Sequence, residues 1–143
     1  TISTDVIVGF CGETEAQFQK TYDLLEELKL DIIHLARYST RPHTLAERDM
    51  LDDVPEAEKE RRFIALNDQH ERLTAEINQR YMGEVVEVLV ESDHKGKWRG
   101  RTPQNKLVFF EDTTRDWRGG IAPVRINWTG AWSMQGDLLI SRP

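Results

Sequence analysis

The apolar residues change their period along the chain. Asp5-Val-Ile-Val-Gly-Phe10 is an unbroken apolar run ending beside a glycine, the pattern of a strand covered on both faces in a parallel sheet. A tight turn follows at Cys11-Gly12-Glu13. Thr14-Glu-Ala-Gln17 then has capping-box spacing, in which the Thr14 hydroxyl accepts from the Gln17 amide and the Gln17 side chain reaches back. Phe18, Tyr22, Leu25 and Leu28 recur at steps of four, three and three, one face of a helix of about four turns. Residues 31–38 read as a second strand. Strand, capped helix, strand is a βαβ unit, which predicts parallel pairing through a right-handed crossover.

Residues 39–54 read as a loop that turns at Arg41-Pro-His-Thr44. Pro55 suits the first turn of a helix, and Glu56, Glu58 and Glu60 crowd its start, where the helix dipole favours acids. Phe63, Leu66, His70, Leu73 and Ile77 form a narrow seam that predicts a long helix to about Tyr81, stopped by Gly83. Beyond it the period becomes two. Val86, Val88 and Val90 alternate with other residues, and Ser92-Asp-His-Lys-Gly96 reads as a hairpin turn. Further strands are expected at 98–102, 106–110, 124–128 and 132–140. Residues 111–120 form a polar loop holding Trp117, whereas Trp128 and Trp132 read as core. About five short strands in so short a stretch suggest a small closed barrel, which leaves no open sheet edge. The fold class is therefore α/β followed by all-β, divided between residues 1–82 and 83–143.

The chain has 143 residues, 38% of them hydrophobic, enough for a packed core. Its longest apolar runs are strand-sized, far short of a membrane span. It opens on Thr-Ile-Ser-Thr-Asp without Met, which reads as a fragment or a processed start, and nothing there resembles a signal peptide. The net charge of −6 is uneven: residues 1–80 hold 10 basic and 17 acidic residues, residues 81–143 hold 9 and 8. The two parts are expected to show different surfaces and to meet different partners. The single cysteine, Cys11, makes no internal disulfide and cannot hold a metal cluster alone, which fits a cytoplasmic protein.

Two places carry candidate chemistry. The Gly9–Glu13 turn lies at the carboxyl end of a parallel strand, where α/β sheets bind ligands, and its glycines either let backbone approach a ligand or simply make the turn. In the β part, Lys95, Lys97, Arg99, Arg101 and Lys106 surround a hairpin with Trp98 and Asn105. Arg99 and Arg101 are two apart on a strand and share a face. That face fits either phosphate neutralisation beside a stacking aromatic or an ordinary solvated surface. His34, His43, His70 and His94 lack ligand spacing, His70 fits a packed seam position, and no catalytic triad is readable.

Asp5-Val-Ile-Val-Gly-Phe-Cys-Gly-Glu-Thr-Glu15 resembles the DIIVGFPGETE segment of radical-SAM methylthiotransferases, and Arg37-Tyr-Ser-Thr-Arg-Pro-His-Thr44 resembles their KYSPRPGT segment. Asp53-Val-Pro-Glu56 and Glu76-Ile-Asn-Gln-Arg80 are similar to the start and end of the family's long helix. The β part looks like a TRAM domain, and residues 100–110 resemble the tRNA branch rather than the ribosomal-protein branch. The resemblance implies the last βα units of a radical-SAM partial barrel, a linking helix, and an OB-like RNA-binding barrel. It implies a methylthio transfer to an isopentenylated adenosine beside the anticodon, with S-adenosylmethionine and two 4Fe–4S clusters. The cluster cysteines lie outside this chain, so no catalytic or metal residue is expected in it, and the chain alone is expected to be inactive. Gly9, Gly12, Glu13, Tyr38, Ser39 and Arg41 are implied near S-adenosylmethionine, and Trp98, Arg99, Arg101, Asn105 and Lys106 near the RNA. The implied partner is the tRNA anticodon stem-loop. The alternatives are the ribosomal-protein branch of the same family, in which the β part grips a protein, and, from a different class, a non-catalytic RNA-binding module. Cys11 stands where the family has proline and His43 where it has glycine, a position that strains if it needs positive φ. The incomplete barrel predicts an exposed apolar edge and self-association.

Overall fold

The computed structural model describes residues 1–139. Two compact units divide the chain, one over Ile2–Leu73 and one from Thr74 onward that also takes in Thr1.

In the first unit, β1 (Ser3–Val8) and β2 (Ile32–Arg37) pair in parallel across α1 (Glu15–Leu28). The Thr14 capping box forms as its spacing predicts, with Gln17 accepting from the Thr14 amide at 2.8 Å. Lys29 ends α1 in the left-handed conformation, its amide bonded to the Leu25 carbonyl. Val8, Phe18, Leu25, Ile33 and Leu66 make the core. Two expectations are corrected here. β1 is not covered on both faces: Val6 and Val8 turn into this core, but Ile7, on the opposite face, stands 54% exposed in an open cleft. Leu28 is exposed too, since the buried face of α1 ends at Leu25.

The stretch 39–54 is not all loop. Thr44 caps a short helix, α2 (Leu45–Asp49), by accepting from the Glu47 amide. Glu47 in turn accepts from the His43 amide at 3.0 Å. Thr44-Leu-Ala-Glu47 is itself a capping box in the sequence.

The long helix α3 (Glu56–Asn78) runs into a 3₁₀ turn at Gln79–Tyr81. Its buried side is wider than the apolar seam. Lys59, Arg62, Gln69, Thr74 and Asn78 are buried beside Leu66, His70, Leu73 and Ile77. Gln69 donates to the Tyr22 carbonyl at 2.9 Å, and Asn78 to the carbonyls of Gly130 and Ala131 at 2.7 and 3.0 Å. His70 is packed, as its seam position predicts, and its Nε2 accepts from the Ile33 amide at 3.3 Å.

The second unit is a closed barrel of β3 (Val85–His94), β4 (Lys97–Arg101), β5 (Leu107–Phe110), β6 (Ile121–Thr129) and β7 (Met134–Leu138), in the order β3-β4-β5-β7-β6. All ladders are antiparallel except β5 with β7. The sequence pattern carries the last strand to Ile140, which lies outside the described residues. Positive φ at Lys95 and Gly96 makes the two-residue primed turn between β3 and β4. Pro103-Gln-Asn105 is a three-residue hairpin loop, with the Asn105 amide bonded to the Thr102 carbonyl and Asn105 at φ +60°.

Val88, Val90, Val108, Phe110, Ala122, Val124, Ile126 and Met134 fill the interior together with Trp117. The tryptophan assignments reverse. Trp117 is buried, edge-on to Phe110, its indole N–H given to Asp112 at 2.7 Å. Trp128 and Trp132 are exposed, because the bulge between Ile126 and Trp128 turns Trp128 outward and Trp132 lies in the β6–β7 connection.

Candidate functional site

The turn after β1 is built by its glycines. The Glu13 amide bonds to the Phe10 carbonyl, and Gly12 at the third position has φ +75°, a type II turn. Cys11 occupies the second position, where proline is favoured in such turns, so the residue that departs from the familiar motif still fits the geometry. Inside this turn the polar groups are already engaged. Glu13 accepts from the Gly9 amide at 2.6 Å and from Arg62 at 2.6 Å, and Asp53 accepts from the Gly12 amide at 2.7 Å. Beneath Gly9 runs the Lys59 side chain, buried, its ammonium bonded to Asp52 at 2.8 Å and Glu56 at 3.0 Å. Burial pushes the Lys59 ammonium down, but the bonds to Asp52 and Glu56 outweigh it and hold it above its ordinary value. Gly9, Gly12 and Glu13 thus form the floor and frame of the turn.

Tyr38, Ser39 and Arg41 come together elsewhere. With Ile7, Phe10 and Arg37 they line a cleft of about 300 Å³ that includes the uncovered face of β1 and β2. Phe10 meets Tyr38 edge-on at 4.9 Å. Contact with the Cys11 thiol, and then burial, hold the Tyr38 hydroxyl above the usual phenol range. The lining offers an apolar wall, the hydroxyls of Tyr38, Ser39 and Thr44, and two guanidiniums, Arg41 and the Glu60-paired Arg37. It suits a mixed ligand with an apolar body and an anionic end. None of Gly9, Gly12 and Glu13 lines it.

On the barrel, register puts Lys97, Arg99 and Arg101 on the outer face of β4. Lys97 approaches Glu111 at 3.2 Å, and Arg101 approaches Glu91 at 3.4 Å. Arg99, between them, has no carboxylate partner among the described residues, and its Nε is enclosed without an acceptor. Trp98 points the other way, packs on the core and gives its N–H to the Asp112 carbonyl at 2.9 Å. Asn105 shapes its loop through its positive φ, and its carbonyl accepts from Arg101 at 3.1 Å. Lys106 is buried, its amide bonded to the Thr102 hydroxyl at 3.2 Å. Of the five residues read as RNA contacts, Arg99 and Arg101 therefore stand on one outer face, while the others support it.

Comparison with known proteins finds relatives of both parts of the chain. Residues 79–139 match the TRAM domain. Over 140 residues, 96% of this chain and 29% of the relative, the sequence is 52% identical to a tRNA-2-methylthio-N(6)-dimethylallyladenosine synthase of Roseiflexus sp. (strain RS-1). Proteins of the same description from Chloroflexus aurantiacus (47% identity; 94% of this chain, 29% of the relative) and Herpetosiphon aurantiacus (44%; 96% and 32%) match likewise. The chain is homologous to these methylthiotransferases along nearly its whole length. It spans about a third or less of the length of the curated relatives it matches.

Among the described residues no group of three or more His, Cys, Asp or Glu is placed to hold a metal ion. Cys11 is buried and is the chain's single cysteine, so the residues of this chain do not fit a 4Fe–4S cluster, which takes several thiolates. No helix among the described residues is long and apolar enough to cross a membrane.

Trp128 and Phe109, both on the outside of the TRAM barrel, escaped the sequence reading. An alternating strand hides which parity faces out until its bulges are known. The bulge beside Trp128 moves it off the face that counting from Val124 assigns.

Proposed function

We propose that this chain is the tRNA-binding and cofactor-pocket portion of a tRNA methylthiotransferase, an enzyme that adds a methylthio group to N6-isopentenyladenosine beside the anticodon. The single observation that carries this is identity of 44–52% to synthases of that description over 94–96% of the chain. In this reading residues 1–82 supply the last βα units of a radical-SAM barrel with its linking helix, and residues 83–143 the RNA-binding TRAM barrel. The clusters and their chemistry belong to parts of the enzyme outside this chain, in the cytoplasm where tRNA is found.

S-adenosylmethionine, when bound, supplies the radical chemistry and the methyl group. Within this chain its site is the 300 Å³ cleft. Arg41 and Ser39 would hold its carboxylate, and Phe10 and Tyr38 would cover an apolar part of it. Gly9, Gly12 and Glu13 keep the turn behind the cleft in shape. On the barrel, Arg99 and Arg101 meet phosphates, while Trp98, Asn105 and Lys106 hold the strand and loop that present them.

A filter-binding titration of the 143-residue chain against a tRNA anticodon stem-loop at several salt concentrations tests the RNA part. Affinity should fall steeply with salt, and Arg99→Ala and Arg101→Ala should each lower the log–log slope by about 0.7–0.9. No binding even in dilute buffer would remove the reading.

A further inference from the structure

Strand register lines up a row of side chains across the outside of the barrel. Ser92 pairs with Arg99, Arg99 with Phe109, Phe109 with Gln135, and Gln135 with Trp128. Their neighbours Val90, Gly100, Val108 and Met134 are buried, so the row faces out. With strands about 4.8 Å apart, Phe109 and Trp128 stand about 10 Å from each other, too far for one base to contact both rings.

Both rings are held in place. His94 lies 6.1 Å from Phe109, tilted by 51°. Trp128 rests on Gly130: a Cβ there would come within 2.5 Å of its Cη2. One face of the indole is thereby supported, and the residue remains 47% exposed. At the Phe109 end stands Arg99, the cation of β4 without a carboxylate partner among the described residues.

Beside Phe109 and Gln135 opens a cleft of about 440 Å³ that also takes in Glu111, Asp112, Asn127 and Asp137, and Lys97, whose ammonium reaches Glu111 at 3.2 Å and Gln135 at 3.3 Å and leaves the carboxylates in the majority. Asn127 donates to Asp137 at 2.8 Å. Carboxylates repel a phosphate but accept from a base's exocyclic amine. A nucleotide at this place would therefore put its phosphate on the Arg99 side and its base edge into the cleft.

We propose that this row is a stacking track for unpaired RNA, with one base on Phe109 and another on Trp128, Arg99 holding a phosphate between strands of the barrel, and the adjoining cleft favouring bases that carry an amine. The proposal deepens the RNA-binding reading and rests on it.

The test uses the full 143-residue chain with short single-stranded oligoribonucleotides and a duplex of equal length, read by fluorescence anisotropy. Phe109→Leu and Trp128→Leu should each weaken single-strand binding about tenfold while leaving duplex binding unchanged, the loss expected of one stacked base. Phe109→Tyr and Trp128→Phe, which keep a ring, should restore it, and far-UV circular dichroism should match the parent in all four. Oligo(C) should bind several-fold tighter than oligo(U), which differs from it at the amine-bearing position. Unchanged single-strand affinity in both leucine variants would overturn the track while leaving RNA binding intact. Equal affinity for the two oligomers would overturn the role of the cleft. Failure of the parent chain to bind any RNA would overturn both this and the function on which it rests.

Discussion

At Gly9 two demands meet. Its φ is +74°, and an added Cβ would stand 2.3 Å from the Cγ of Lys59. Lys59 cannot retreat, because Asp52 and Glu56 hold its ammonium. Gly9→Ala should therefore cost about 2–4 kcal/mol in urea unfolding, from left-handed strain and crowding together. His43 shows the opposite case. It sits at φ +67° with an exposed side chain, so the residue carries the strain without a compensating contact. Its amide bond to Glu47 survives replacement by glycine. His43→Gly should raise stability by about 0.5 kcal/mol, seen as a higher urea midpoint at an unchanged slope. This position was legible in advance, since a motif glycine replaced by histidine already raised the question of positive φ.

Among the elements, α3 gathers most of the ion pairs of the first unit. Glu58 bonds to Arg61 at 2.6 Å and to Arg62 at 2.9 Å. Arg61 first, and Arg62 after it, hold the Glu58 carboxyl at about 2 against the burial that opposes them. A depressed carboxylate stabilises the fold above its unfolded value, and the contribution is lost as pH falls toward the folded one. Stability should thus decline between about pH 4.5 and pH 2, and Glu58→Gln should flatten that decline in unfolding curves taken across the range. The elements themselves were largely readable. Capping boxes and period changes are local signals, and they located α1, α3 and the barrel strands. The width of α3's buried side was not readable, because Lys59, Arg62 and Gln69 count as polar until their partners in other elements are known. The cleft was half-legible for the same reason. Tyr38, Ser39 and Arg41 follow a strand end, but the engagement of Gly12 by Asp53 and of Glu13 by Arg62 depends on contacts 41 and 49 residues away.

For the molecule as a whole, the two units present contrasting surfaces. The first leaves a parallel pair with no third strand among the described residues and Ile7 in the open. Such an edge invites another copy. Sedimentation velocity should show association that grows with concentration, and Ile7→Lys should abolish it without changing the circular dichroism. A parent chain that stays monomeric at the highest concentration reached would refute this. The second unit is closed, and the manner of its closure matters during synthesis. β7 is the last of the five barrel strands to be made, yet it wedges between β5 and β6 and supplies the parallel seam. A newborn chain on the ribosome that has reached only the β6–β7 connection holds β3 to β6 with two raw borders. The cylinder can seal only after Leu138 has left the exit tunnel, so a stop codon a few positions upstream would release a torn sheet rather than a slightly shorter module.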